Sequence, residues 1–91
     1  MTNQELQGAL KVDLGITTTA YDNRLSQYIA SAKAAIEREG ATLDTAGSIE
    51  DAQLVIMYAA WTWRRRDTME GMPRMLRWAL NNRIMAEKAG A

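Results

Sequence analysis

The 91-residue chain has no cysteine, no histidine and no phenylalanine, and proline occurs once. Without cysteine there are no disulfides and no thiolate chemistry. Without histidine the commonest general base and the commonest zinc ligand are missing as well. With phenylalanine absent, the interior falls to Trp, Tyr, Met, Leu and Ile. No apolar run approaches the ~20 residues that span a bilayer, so no membrane partner is expected. The opening MTNQELQGAL lacks the basic and apolar regions of a signal peptide, and the expected location is the cytoplasm of the producing cell. There is no GxGxxG, GxxxxGK[ST] or GxSxG and no metal-ligand spacing, so no cofactor or metal is expected. The carboxylate pairs Glu37/Glu39 and Glu50/Asp51 read as a solvated helix end and as first-turn charges, rather than as acid–base machinery. Together these absences argue against an enzyme.

What is present is a 47% apolar chain, ample for a globular fold and short enough for a single domain over residues 1–91. No strand pattern, repeat or low-complexity segment interrupts it, and the class expected is all-α, a bundle of about four helices. The first is expected over 3–14, opened by a capping box of Thr2 and Glu5 and closed by Gly15. Gly8 inside it costs about 1 kcal/mol relative to alanine, which marks it as the least stable of the four. The second, over 20–39, starts at Thr19 with Asp22 at the box position; Leu25, Tyr28, Ile29, Ala32 and Ile36 make its apolar stripe. The third, over 49–66, opens at Ser48 with Asp51 in the box. The fourth, over 73–88, opens at Pro73 and carries Met75, Leu76, Ala79, Leu80 and Ile84 as its stripe.

Between Ala52 and Trp63 the only polar residues are Gln53 and Thr62, so the third helix is apolar nearly all round. Such a helix is buried on every side. It ends in WTWRRRD, residues 61–67. Trp61 and Trp63 point about 160° apart on a helix, and Arg64, Arg65 and Arg66 fan through about 200°, so the segment is not one flat patch. Trp61 continues the line of Leu54 and Tyr58 and is expected in the subunit's own core. Trp63 continues Ile56, Ala59 and Ala60 on the other side, where a second subunit is expected. Net charge is zero but unevenly placed: residues 1–60 hold four basic groups against eight acidic, a balance of −4, and residues 61–91 hold seven against three, a balance of +4. Acidic and basic parts of successive copies can therefore face each other. The basic run also admits two other readings, namely a set of charges complementing a helix end and a grip on nucleic acid. A pI near 6.2 is unlike that of a dedicated DNA-binding domain.

Residues 13–40, DLGITTTAYDNRLSQYIASAKAAIEREG, and residues 50–84, EDAQLVIMYAAWTWRRRDTMEGMPRMLRWALNNRI, resemble the small head–tail connector (adaptor, head-completion) proteins of long-tailed bacteriophages and prophages. The most specific pieces are DLGI at 13–16, AKAAIEREG at 32–40, YAAW at 58–61 with its basic run, and MPRMLRWALNNR at 72–83. The resemblance implies a non-enzymatic helical subunit forming a ring, typically dodecameric, beneath the portal protein. The implied ring extends the channel for double-stranded DNA, which passes without sequence specificity, and offers a docking surface to stopper or tail-completion proteins. The implied location is the head–tail junction of the virion, and the bacterial host cytoplasm during assembly.

The expected function is therefore a structural virion protein. The expected subunit contact comprises Trp63, Arg64, Arg65 and Arg66, with Arg74 and Arg77 beside them. Their acidic partners are sought among Glu37, Glu39, Glu50 and Asp51. The alternative is a small helical DNA-binding regulator using the arginine-rich third and fourth helices. A scaffolding helical dimer with no phage role is a further possibility.

Overall fold

The computed structural model describes residues 1–66 and 71–90. Within them lie four helices and no strand: α1 (Asn3–Leu14), α2 (Asp22–Arg38), α3 (Ile49–Arg64) and α4 (Arg74–Ala89). The all-α class is as expected; α1 and the start of α3 fall where expected, and the other helix ends shift by one or two residues. Asp67 and Glu70, counted above in the basic half, lie outside the described residues.

The helix starts show where a local signal holds and where a tertiary one wins. At α1 the capping box forms in both directions: Glu5 N–H donates to Thr2 Oγ1 at 3.1 Å, and Thr2 N–H to Glu5 Oε1 at 2.8 Å. Gly15, at φ 70°, takes the left-handed conformation that closes this helix. The box expected at Thr19 does not form. α2 begins at Asp22, behind Tyr21 and without a side-chain cap. The Asp22 carboxylate instead accepts from Lys11 Nζ at 2.9 Å and ties α2 to α1. At α3, Ser48 Oγ accepts the Asp51 N–H at 3.2 Å, but the Asp51 carboxylate turns away to other partners. Pro73 is the residue before α4 rather than its first.

α3 runs through the middle, and each of the other helices packs on it, α2 most extensively and α4 least. α1 supplies Leu6 and Leu10, α2 supplies Leu25, Ile29 and Ile36, and α4 supplies Leu76 and Leu80. Each such buried side chain contributes about 1.5–3 kcal/mol. Ala32 of the α2 stripe is buried too, whereas Ala30 and Ala34 are exposed. The result is a slab of 42 × 31 × 18 Å. α1 has its box and packs on both α2 and α3, whereas α4 has no side-chain cap and rests chiefly on α3. The weakest attachment is thus that of α4, and not of the glycine-containing α1.

Candidate assembly surface

Of the two tryptophans of the WTWRRR run, Trp61 packs against the core as expected, though only partly buried, and Trp63 lies in the core rather than on an open side. Trp63 is only 9% exposed and sits edge-on to Tyr21 at 5.7 Å and Tyr28 at 5.2 Å. These tyrosines stand two turns apart, Tyr21 just before α2 and Tyr28 within it, and enclose the Trp63 ring; Ile56, Ala59 and Ala60, which Trp63 continues, are buried as well. Trp63 therefore belongs to the subunit's own core. Trp61 is half-buried, edge-on to Tyr58 at 5.4 Å, and its Nε1 donates to the Gly71 carbonyl at 3.2 Å.

The three arginines close over this end of α3. Arg65 lies 4.4 Å from the centre of the Trp61 ring and Arg66 lies 4.3 Å from that of Trp63. Cation–π contacts at exposed sites are worth about 0.5–1 kcal/mol. Arg66 Nη1 also donates to the Trp63 carbonyl at 2.6 Å, and Arg64 Nη2 to the Asp13 carbonyl at 2.8 Å. They complete the helix end and join it to α1, which is an intramolecular use of groups expected at a subunit contact.

Two of the acidic candidates are also engaged within the chain. Glu39 Oε1 pairs with Arg77 Nη1 at 2.9 Å, linking the end of α2 to α4. Asp51, 4% exposed, is the centre of a larger network. Its carboxylate accepts from Arg83 Nε at 2.7 Å and from the Asp44 N–H at 2.9 Å. Arg83 donates further to Glu87 at 3.1 Å and to the Thr42 carbonyl at 2.5 Å. Burial pushes the Asp51 pKa up, but the Arg83 hydrogen bond, the Asp44 N–H and the Arg83 charge outweigh it and hold the carboxyl below its ordinary value. Thr42 and Arg83 lower Glu87 likewise, while Asp51 and then Glu87 raise Arg83. The network fastens α4 to α3 and to the loop before it. Glu37, Glu50 and Arg74 are exposed and make no ion pair among the described residues.

The unclaimed apolar surface lies elsewhere. On the open side of α3, three neighbouring depressions of about 290, 420 and 260 Å³ all border Met57, in the groove region between α1 and α4. Ile49 (64% exposed) and Met57 (37%) border these depressions, and Val12 (80%) stands on α1. On α4, Trp78 and Met85 are 64% and 67% exposed and stand on its outer face, while Met75, 71% exposed, borders the depression beside Asp13 and Trp61. Met75 was expected on the inward stripe, but only Leu76 and Leu80 are buried there. The spacing 75, 78, 85 was a readable sign of a second apolar face on α4, masked by the adjacent inward stripe. Met57 and Ile49 carried no such sign, since an all-round apolar helix does not show which side stays open.

Among the described residues no three acidic, histidine or cysteine side chains converge on a metal site, no helix is long and apolar enough to cross a membrane, and no buried side-chain nitrogen or oxygen lacks a partner. No protein-family model, curated protein or solved structure matches the chain.

Proposed function

We propose that this chain is a structural assembly subunit, of the ring-forming head–tail connector kind that residues 13–40 and 50–84 resemble. On this reading it works at the head–tail junction of a virion, between the portal protein and stopper or tail-completion proteins. It surrounds a DNA path rather than recognising sequence. The observation that carries the reading is the apolar surface left open by the fold, beside α3 and on the outer face of α4, on a domain whose buried side-chain nitrogens and oxygens all have partners among the described residues. Contiguous exposed apolar surface on a small domain marks a site of protein contact. The arginines do not favour the DNA-binding regulator, because Arg64 and Arg66 donate to backbone carbonyls and Arg65 and Arg66 cover tryptophan rings.

The test is to purify the full chain alone and with the portal protein encoded in the same gene neighbourhood, and to measure mass by native mass spectrometry and shape by negative-stain imaging. Rings on the portal support the reading. A chain that stays monomeric and ignores the portal overturns it. Submicromolar duplex binding that falls steeply with salt replaces it with the regulator.

A further inference from the structure

We infer that residues 41–48 of the α2–α3 loop and residues 83–89 of α4 form one cooperative unit, locked or released together through Asp51. The loop thereby sets, from a distance, how firmly the outer face at Met85 is held. This goes beyond the assembly reading and does not depend on it.

The loop touches α4 where it leaves α2. A β-carbon at Gly40 would stand 3.7 Å from Ile84 Cγ2, an ordinary contact distance, and Ala41 beside it is buried. Two backbone groups of the loop are held by the pair that fastens α4. The Thr42 carbonyl accepts from Arg83 Nη2, and the Asp44 N–H donates to Asp51. Both Asp51 oxygens are used: Oδ1 takes Arg83 Nε at 2.7 Å, and Oδ2 takes the Asp44 N–H at 2.9 Å and Arg83 Nη2 at 3.3 Å. The loop then closes on itself. The Ser48 N–H donates to the Asp44 carbonyl at 2.8 Å, and the Gly47 N–H to Asp44 Oδ1 at 3.0 Å. A β-carbon at Gly47 would meet Asp44 Oδ2 at 2.5 Å, so the closed turn needs glycine there.

Asp51 is nearly fully buried, and a carboxylate so placed is tolerated only while its charge is matched. If α4 withdraws Arg83, Asp51 must turn to water, and the Asp44 N–H and the Thr42 carbonyl lose their partners with it. If the loop opens, water reaches the Asp51–Arg83 pair and screens it, and Arg83 loses the Thr42 carbonyl as well. Either departure weakens the attachment of the other. The first half of α4 is held differently. Leu76 and Leu80 are buried there, and the Arg77–Glu39 pair is exposed and contributes little. The coupling therefore falls on the second half, which carries Arg83, Ile84 and Glu87.

The coupling runs from one exposed position to another. Asp44 is exposed; its carboxylate is hydrogen-bonded within the loop and forms no ion pair among the described residues. Met85 is exposed on the outer face of α4, in the same turn as Arg83, Ile84 and Glu87. Whatever opens the loop at Asp44 and Gly47 loosens the turn that holds Met85. By the reciprocity of linked equilibria, whatever steadies that turn closes the loop.

The test is amide hydrogen exchange on the full chain, with circular dichroism to check that each variant is folded. Arg83→Met should lower the protection of the Asp44 and Ser48 amides at least about tenfold, although it alters no loop residue. Glu87→Gln is the milder form should Arg83→Met fail to fold, with a fall of about threefold at the same amides. Asp44→Ala and Gly47→Ala should each lower protection over residues 84–88 about threefold to tenfold, and leave α1 and the α2–α3 contact unchanged. Arg77→Met, which breaks the pair that bypasses the loop, should leave the Asp44 and Ser48 amides within about twofold of wild type. In urea, Asp44→Ala and Arg83→Met combined should cost well below the sum of the two alone, because the second change acts on a unit already released. Additive losses overturn the coupling. So do loop amides untouched in folded Arg83→Met or Glu87→Gln, or residues 84–88 untouched by Asp44→Ala. A loop loosened as much by Arg77→Met also overturns it, since α4 would then act as a whole rather than through Asp51. None of these outcomes bears on rings or on the portal, so the assembly reading is decided by its own test.

Discussion

On one side of α3, α2 adds Leu25, Ile29 and Ile36 to the core it shares with Val55 and Ala59, and Tyr21 and Tyr28 enclose Trp63; no ion pair joins α2 to α3 among the described residues. On the other side, α4 offers two buried leucines and the Asp51–Arg83–Glu87 network. The first contact is dispersion and desolvation, indifferent to pH. The second depends on charges that must stay ionised, and its partners sit nearer to solvent. Stability is therefore unevenly distributed, and the less secure helix is the one that carries the exposed Trp78 and Met85.

The comparison breaks hardest at Trp63. Trp63→Ala should cost about 3–5 kcal/mol in urea denaturation, the usual range for deleting a buried aromatic. Trp61→Ala, at a half-buried site, should cost well under half as much; equal costs would mean that the two sides of α3 are not distinct. Next is Asp51→Ala, expected to cost about 2–3 kcal/mol, since it strips charged hydrogen bonds from Arg83 and leaves the Asp44 N–H without its acceptor. Hydrogen exchange on this variant should show α4 losing protection while α2 keeps it.

Acid sharpens the same contrast without mutation. The folded-state pKa values of Asp51 and Glu87 are depressed, so their stabilisation is present above the ordinary carboxylate pKa of about 4 and is lost as pH falls through the folded values. Protection factors in α4 should fall between pH 5 and pH 2 ahead of those at the α2–α3 contact, and a simultaneous loss would count against a separable α4. The smallest effect is at Gly8, where open space surrounds an ordinary helical backbone. Gly8→Ala should raise stability by about 0.5–1 kcal/mol, visible as a higher thermal midpoint.

Helix count, order and class were legible because periodicity and turn residues are local signals. Thr2, Gly15 and Ser48 act as their positions suggest. Thr19 fails because Lys11 competes for Asp22 from another helix, and a ladder of local spacings does not record that competition. Trp63, unlike Trp61, departs from the place expected of it, for a related reason. Their opposite directions were readable, but which direction α2 would cover depended on the path of the 15–21 connection. Arg77 and Glu39, chosen as opposite-charge candidates for a contact between copies, do attract each other, but within one chain. The second apolar face of α4 was present in the spacing of Met75, Trp78 and Met85, and only the fold shows these side chains exposed among the described residues.

The three tryptophans stand at three depths, with Trp63 enclosed, Trp61 at the boundary and Trp78 in solvent. They make the molecule its own optical gauge. Loss of the blue-shifted emission of Trp63 reports unfolding, whereas quenching of Trp78 by iodide reports whether α4's outer face is covered. One unlabelled sample can thus distinguish a subunit that has come apart from one that has merely come away from its neighbour.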